Sequence, residues 1–276
     1  MDLKSHWQLN PEVDYLNHGS FGATPTVVLQ TQRSLQDLLE RDPIEYLAQE
    51  RSLEPKLDHV RGVVSRIVAA DPRDIALVGT ATDGVNAVLR SMPLAAGDEI
   101  VVTDHGYNAC NNVARYVAER ANGRVRQASV PFPISDPQCV VAAVESALNE
   151  HTRLLVIDHV TSPTGLVFPV KEIVSLAQSR GVRVLVDGAH APGMVPVDVT
   201  GIGADYYTGN HHKWLCAPKV SGFLHVRREL QEEVRPTVIS HGFNRCRPRR
   251  SQFLSQFDWC GTFDPTPVLA VPAAIE

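Results

Sequence analysis

The segment VRVLVDGAH, Val182–His190, decides the fold. Gly181 precedes it, valines and a leucine fill its first five positions apart from Arg183, and it ends on Asp187, Gly188, Ala189 and His190. So short an apolar run, β-branched and bounded by glycines, reads as a strand buried on both faces. Immediately upstream, VKEIVSLAQSRG (Val170–Gly181) has helical spacing with glycine just past its end. Before that, TRLLVIDHV (Thr152–Val160) is a second continuous apolar strand. The alternation continues toward the N-terminus. DIALVG (Asp74–Gly79), DEIVVTD (Asp98–Asp104) and RVRQASV (Arg124–Val130) read as strands. ATDGVNAVLRSM (Ala81–Met92), NACNNVARYVAERA (Asn108–Ala121) and DPQCVVAAVESALNE (Asp136–Glu150) read as helices, the last with proline at its start. Downstream, ADYYTG (Ala204–Gly209) is one more strand. Short strands separated by helices specify an α/β protein whose mainly parallel sheet carries helices on both faces. Before Pro72, an irregular arm is followed by helices over Pro25–Glu50 and Pro55–Ala70.

The remaining sequence sets bounds on function. The chain has 276 residues, is 43% hydrophobic and 21% charged, and has a net charge of −5. With mean hydropathy −0.10 and a pI near 6.1, it has no basic footprint for nucleic acid. Its longest basic cluster, RCRPRR (Arg245–Arg250), reads as a solvated loop, with contact to an anion as the other reading. Five scattered cysteines, none in a CxxC pair, argue against a disulfide framework and a structural zinc site. The N-terminus has no apolar core of signal-peptide length, and no segment approaches a membrane span. A reduced, cytoplasmic compartment is the expectation.

In sheets of this kind ligands bind beyond the carboxyl ends of the strands. That directs attention to GTATDG, TDHGYN, HVTSPTG, VDGAH and TGNHHK, all strand-end loops. GTATDG (Gly79–Gly84) opens a helix with small residues and two hydroxyls, which suits a phosphate. Thr80 and Thr82 could equally cap that helix. Asp187 either caps the next turn or is an anion holding the protonated ring nitrogen of a cofactor, since a carboxylate is costly there without a cation. Lys213, in GNHHKW (Gly209–Trp214), is either a snorkelling surface lysine or an amine made nucleophilic by partial burial beside cationic and aromatic neighbours. His211 and His212 read as core residues or metal ligands. Zinc is disfavoured, because adjacent residues project in different directions and no carboxylate or thiolate stands at ligand spacing. The conjunction decides. Pyridoxal 5′-phosphate needs a phosphate cradle, a carboxylate for its pyridinium nitrogen and a lysine for its aldehyde.

The sequence resembles the class V aminotransferase (cysteine-desulfurase-like) family of fold-type I pyridoxal-phosphate enzymes, in its isopenicillin N epimerase-like branch. The resemblance runs along essentially the whole chain. It rests on YLNHGSFGATP (Tyr15–Pro25), RDPIEYL (Arg41–Leu47), GTATDGVNAVLRS (Gly79–Ser91), HVTSPTGLVFPVKEI (His159–Ile173), VLVDGAHAPGMVPVDV (Val184–Val199), GADYYTGNHHKWLCAPKVSGFL (Gly203–Leu224) and WCGTFDPTPVLAVPAAI (Trp259–Ile275). It implies an aspartate-aminotransferase-like large domain with a seven-stranded type of sheet over residues 73–258. The N-terminal arm and helices, 1–72, would precede it, and 259–276 would begin a C-terminal segment. The resemblance also implies that Lys213 is the Schiff-base lysine and Asp187 the pyridinium partner. Thr80, Ala81 and Thr82 would hold the phosphate, helped by Asn210 and His212. Tyr107 would cover a cofactor face, with His190 and Ser162 near the ring and its phenolic oxygen. Ser162 stands where the desulfurases commonly carry asparagine. Thr262 would reach the phosphate of a neighbouring subunit, giving a homodimer with a shared active site, and Asn17 and His18 would neighbour the substrate.

One departure is expected. Family members continue past the position of Glu276 into a smaller domain that usually carries an arginine for the substrate carboxylate, so the small domain is read as absent and the chain as truncated. The implied chemistry starts at the α-carbon of an amino acid, with Lys213 as general base. Epimerisation, transamination or loss of a β-substituent follows, and epimerisation needs a second acid, for which Tyr107, His18 and a residue of the small domain are candidates. A carbon–sulfur lyase is the alternative. Persulfide-forming desulfuration is disfavoured, because it needs a mobile cysteine and Cys216 reads as a core residue. A non-catalytic cofactor-binding relative is the third reading.

Overall fold

A computed structural model describes residues 3–245 and 247–276. Cys246 of the basic cluster lies outside the described residues, as do Met1 and Asp2. In chain order the elements are α1 (Thr26–Arg41), α2 (Pro43–Leu47), α3 (Glu54–Ile67), β1 (Ile75–Val78), α4 (Ala81–Ser91), β2 (Glu99–Thr103), α5 (Asn108–Arg120), β3 (Arg124–Ala128), α6 (Gln138–Ala147) and β4 (Thr152–Asp158). They continue with α7 (Val170–Ser179), β5 (Arg183–Gly188), α8 (Val199–Ile202), β6 (Tyr206–Asn210), β7 (Gly222–Val226), α9 (Gln252–Phe257), α10 (Thr266–Leu269) and α11 (Val271–Ile275).

The sheet has seven strands in the order β1-β7-β6-β5-β4-β2-β3. β2 to β6 pair in parallel, and β7 runs antiparallel to both of its neighbours, β1 and β6. Side chains alternate between faces along a strand, and both faces are buried. Leu155 and Ile157 of β4, with Val184 and Val186 of β5, pack under α3, α6 and α7. Leu154, Val156 and Leu185 pack on the other side against Val85, Val88 and Leu89 of α4 and Ala114 of α5. Each such side chain contributes about 1.5–3 kcal/mol on burial, which is why the strands read as unbroken apolar runs. No helix among the described residues is long and apolar enough to cross a membrane.

Three features depart from the sequence reading. The helix expected over Pro25–Glu50 is broken at Asp42, whose carboxylate caps α2 through Glu45 N–H at 3.1 Å while Pro43 lacks the N–H that α1 would need to continue. β7 was not anticipated as a strand. The basic cluster is no solvated loop at Arg247 and Arg250. Arg247 pairs with Glu54 at 3.2 Å, and Arg250 is buried against Asp258 and reaches Asp58 at 3.1 Å. Arg61, 1% exposed, bridges the same two aspartates and ties α3 to the end of α9.

Candidate active site

Strands β4, β5 and β6 deliver their carboxyl ends to one cavity of about 330 Å³, lined among others by Tyr107, Ser162, His190, Lys213, Trp214 and Asn17. A larger cleft of about 580 Å³ lies at Arg90, Arg183 and Arg235. It holds no comparable set of reactive groups, and Arg183 is already paired with Glu233 at 2.5 Å.

Lys213 stands on the turn that joins β6 to antiparallel β7. The turn is tied down from both sides: His211 N–H bonds Ser221 O at 3.0 Å, and Ala217 N–H bonds His211 O at 3.1 Å. From the N-terminal arm, Thr24 donates its hydroxyl to Ala217 O at 3.1 Å. Gly22 takes φ +69° there, and a Cβ on it would lie 1.7 Å from His212 O, so only glycine fits against the turn. Lys213 Nζ is 3.0 Å from His190 Nε2 and 5.9 Å from the centre of the Tyr107 ring. Burial lowers its proton affinity, and the nearby Asp187, Cys110 and Asp158 partly oppose that. His190 is lowered to about 4, by burial first and by Lys213 second. On its other side the His190 ring receives the Trp214 indole N–H at Nδ1, 3.3 Å away.

Asp187 is buried near the end of β5, directly beside Asp158 of β4 in the pairing register. Its oxygens accept hydrogen bonds from Ala189 N–H at 2.9 Å and the Cys110 thiol at 3.1 Å. Neither donor is a cation. Burial, and then the charge of Asp187, push Asp158 well above the usual carboxylate range. Burial and Asp187 also push the Cys110 thiol up, so it stays a thiol and a donor.

The other expected residues fall in different places. Thr80 closes a capping box with Asp83, accepting from Asp83 N–H at 3.1 Å while Asp83 accepts from Thr80 N–H at 2.9 Å. Ala81 N–H donates to Asn210 Oδ1 at 2.8 Å, so buried Asn210 is spoken for by the α4 terminus. That leaves Thr82 N–H as the first-turn donor with no acceptor among the described residues. His212 donates through Nδ1 to Ser221 O at 3.0 Å. His211 is a core residue, stacked on Phe223 at 5.6 Å, with both ring nitrogens unpartnered and its pKa lowered to about 3 by burial. No group of His, Cys, Asp or Glu that could hold a metal exists among the described residues.

Asn17 lines the cavity, bonded to Ser20 at 2.7 and 3.0 Å. His18, next to it, turns into an aromatic cluster with Trp7, Tyr15 and Trp214, and its Nδ1 meets Ala23 N–H at 3.4 Å and the Cys216 thiol at 3.5 Å. Thr262 is exposed, next to Phe263 on the segment bordering a separate cavity of about 350 Å³ with Gly79, Val220 and Cys260. It does not line the Lys213 cavity of its own chain.

Sequence reasoning passed over Asp158 and Cys110. Asp158 gave a signal, since it ends an apolar run as Asp187 does. Cys110 gave none, because its contact with Asp187 joins α5 to β5 across 77 positions.

Comparison with known proteins bears on the family and the fold. At 34% identity, Isopenicillin N epimerase of Streptomyces clavuligerus matches 100% of the chain, which spans 71% of that relative's length. L-cysteine desulfhydrase of Arabidopsis thaliana is 32% identical over 95% of the chain, which spans 59% of that relative. The fold is shared, at a TM-score of 0.87 and 24% identity over 100% of this chain and 73% of the other, with a C-DES mutant carrying glycine covalently linked to the PLP cofactor. The model of the Aminotransferase class-V family matches residues 24–256, and the chain belongs to that family.

Proposed function

We propose that this chain is a pyridoxal-phosphate-dependent enzyme acting at the α-carbon of an amino acid, in the manner of an isopenicillin N epimerase-like epimerase or aminotransferase. One observation carries the reading: the Lys213 amine meets neutral His190 beside Asp187, a buried carboxylate whose hydrogen bonds come from a thiol and an amide rather than a cation. The residues present fit the cofactor. A protonated ring nitrogen would supply the cation that Asp187 lacks. Tyr107, 43% exposed, offers a face to a flat ring. Thr82 N–H at the α4 terminus, together with His212 Nε2, offers donors for the phosphate.

When bound, the cofactor supplies an electron sink that acidifies the substrate's α-proton. Lys213, lowered by burial, is the base that removes this proton. Asp187 would hold the ring-nitrogen proton, and Asp158 beside it is pushed well above the usual carboxylate range by burial and then by Asp187. His190 Nε2 lies 3.0 Å from Lys213 Nζ at the edge of the site, and Asn17 and Phe21 of the arm border the cavity. Exposed Thr262, away from its own chain's cavity, would serve the phosphate of a second copy in a homodimer.

A carbon–sulfur lyase is the second reading. The state of the cysteines favours it over persulfide-forming desulfuration: burial raises Cys216, which faces His18, and Cys110 is a buried thiol on Asp187.

Loading with pyridoxal 5′-phosphate, reducing with borohydride and mapping peptides is expected to place the label on Lys213. A label elsewhere, or an unchanged label in Lys213→Ala, refutes the assignment. Panels of L- and D-amino acids then separate the reactions: inverted product marks an epimerase, oxo-acid with aminated cofactor an aminotransferase, and sulfide release a lyase. A cofactor band that shifts with none of them marks a non-catalytic binder.

A further inference from the structure

The Trp214 indole is a donor only, so the nitrogen that receives it must present a lone pair. That nitrogen is His190 Nδ1, at 3.3 Å. In a neutral imidazole the proton then sits on Nε2, and Nε2 is the atom 3.0 Å from Lys213 Nζ. An ammonium has no lone pair to offer an N–H. The hydrogen-bonded chain is therefore complete in one protonation state: Trp214 N–H to Nδ1, Nε2–H to a free Lys213 amine.

We infer that Trp214 is a positioning residue, which fixes His190 in its Nε2–H tautomer and through it holds Lys213 as an unprotonated amine.

The surroundings keep this arrangement in place. A Cβ on Gly19 of the arm would lie 3.0 Å from Trp214 Cζ2 and 3.2 Å from His190 Nδ1, so the arm's backbone covers the indole–imidazole bond. Gly193, at φ +90°, brings the segment after His190 to within a hypothetical Cβ distance of 2.6 Å of the Trp214 carbonyl. The titratable and charged groups facing Lys213 are His190 and Asp187 from β5 and its following turn, Asp158 from β4, and Cys110 and Tyr107 from α5 and its start. His212 adjoins it on its own turn and is itself lowered by burial. Among these, His190 is the group in hydrogen-bond contact with Nζ. The proposed function gains a specific meaning here, and this clause rests on that reading: an amine kept free can attack an aldehyde without first losing a proton, and Nε2–H becomes a donor to whatever acceptor replaces Nζ.

The test uses the cofactor-free protein carrying ¹⁵N-labelled histidine. Long-range proton–nitrogen correlation reads the tautomer of His190, assigned by loss of its signals in His190→Gln. The expected result is protonation at Nε2. Protonation at Nδ1 overturns the inference whether or not any variant folds. Trp214→Phe keeps an aromatic ring and removes the N–H, so the His190 signals should move toward a mixture of tautomers. The pH profile for trapping pyridoxal 5′-phosphate with borohydride should move to higher pH, by about one unit, which is about a tenfold slower rate near neutrality. An unchanged tautomer and an unchanged profile in a folded Trp214→Phe also overturn it. If the tautomer is Nε2–H but Lys213 takes up no label, the functional reading fails and this inference stands.

Discussion

His211 offers a test in which the size of the effect follows from the structure. Its ring is fully buried against Phe223, neither nitrogen has a partner, and burial, then His212, lower its pKa from 6.5 to about 3. The neutral form is thus favoured in the folded state, and the unfolded chain takes up the proton first as pH falls. The stability associated with this ring is fully present above pH 6.5 and is lost as pH falls from there toward 3. At 1.36 kcal/mol per unit, lowering the pH from 7.5 to 5 should remove about 2 kcal/mol through His211 alone. Replacing it with leucine removes the titration along with two unsatisfied ring nitrogens, at the loss of a ring stack. The first effect is worth about 1–3 kcal/mol and the second about 0.5–1.5. His211→Leu should therefore be as stable as the parent or more so at pH 7.5, and should pull ahead by about a further 2 kcal/mol at pH 5. Urea midpoints for both proteins across that range measure it. Parallel pH profiles would refute the argument and return His211 to the list of groups that bind something.

Arg61→Met leaves Asp258 with one of its two buried cationic partners, and should lower unfolding free energy by about 3–5 kcal/mol in urea titrations. Gly22→Ala must place a side chain 1.7 Å from His212 O at φ +69°, which adds backbone strain of about 1–2 kcal/mol to the displacement of the Lys213 turn. Both the urea midpoint and the trapping rate at Lys213 should fall. Asp187→Asn removes the foremost charge that raises Lys213, so the trapping profile should move to lower pH while cofactor affinity drops at least about tenfold. Equal affinity for Asp187→Asn would show that this carboxylate does not hold the ring nitrogen.

The interior of the sheet was legible because its strands are buried on both faces, which writes continuous apolar runs into the sequence. β7 was not, since GFLHV becomes a strand only through pairing with β1 and β6 on either side. Asp187 and Lys213 stood out because a charge at the end of an apolar run needs an explanation. The same rule would have found Asp158. Arg250 shows the opposite limit: one of its acids is eight positions away, but the other is 192 away, and no local pattern announces it. Adjacent residues of an irregular arm are equally opaque. Asn17 faces the cavity while His18 faces away, and no periodicity applies where the backbone has none.

The arm's closure over the Lys213 turn has a consequence for how the chain acquires its site during synthesis. Thr24 emerges early, but its hydrogen-bonding partner, Ala217, lies 193 residues further on. At about 5–20 residues per second, the arm waits about 10–40 s for its seat to exist. During that interval Leu16 and Phe21, still 84% and 75% exposed in the folded protein, belong to a segment without a surface to rest on. The cavity is therefore among the last features the nascent chain can complete, after the strands that frame it.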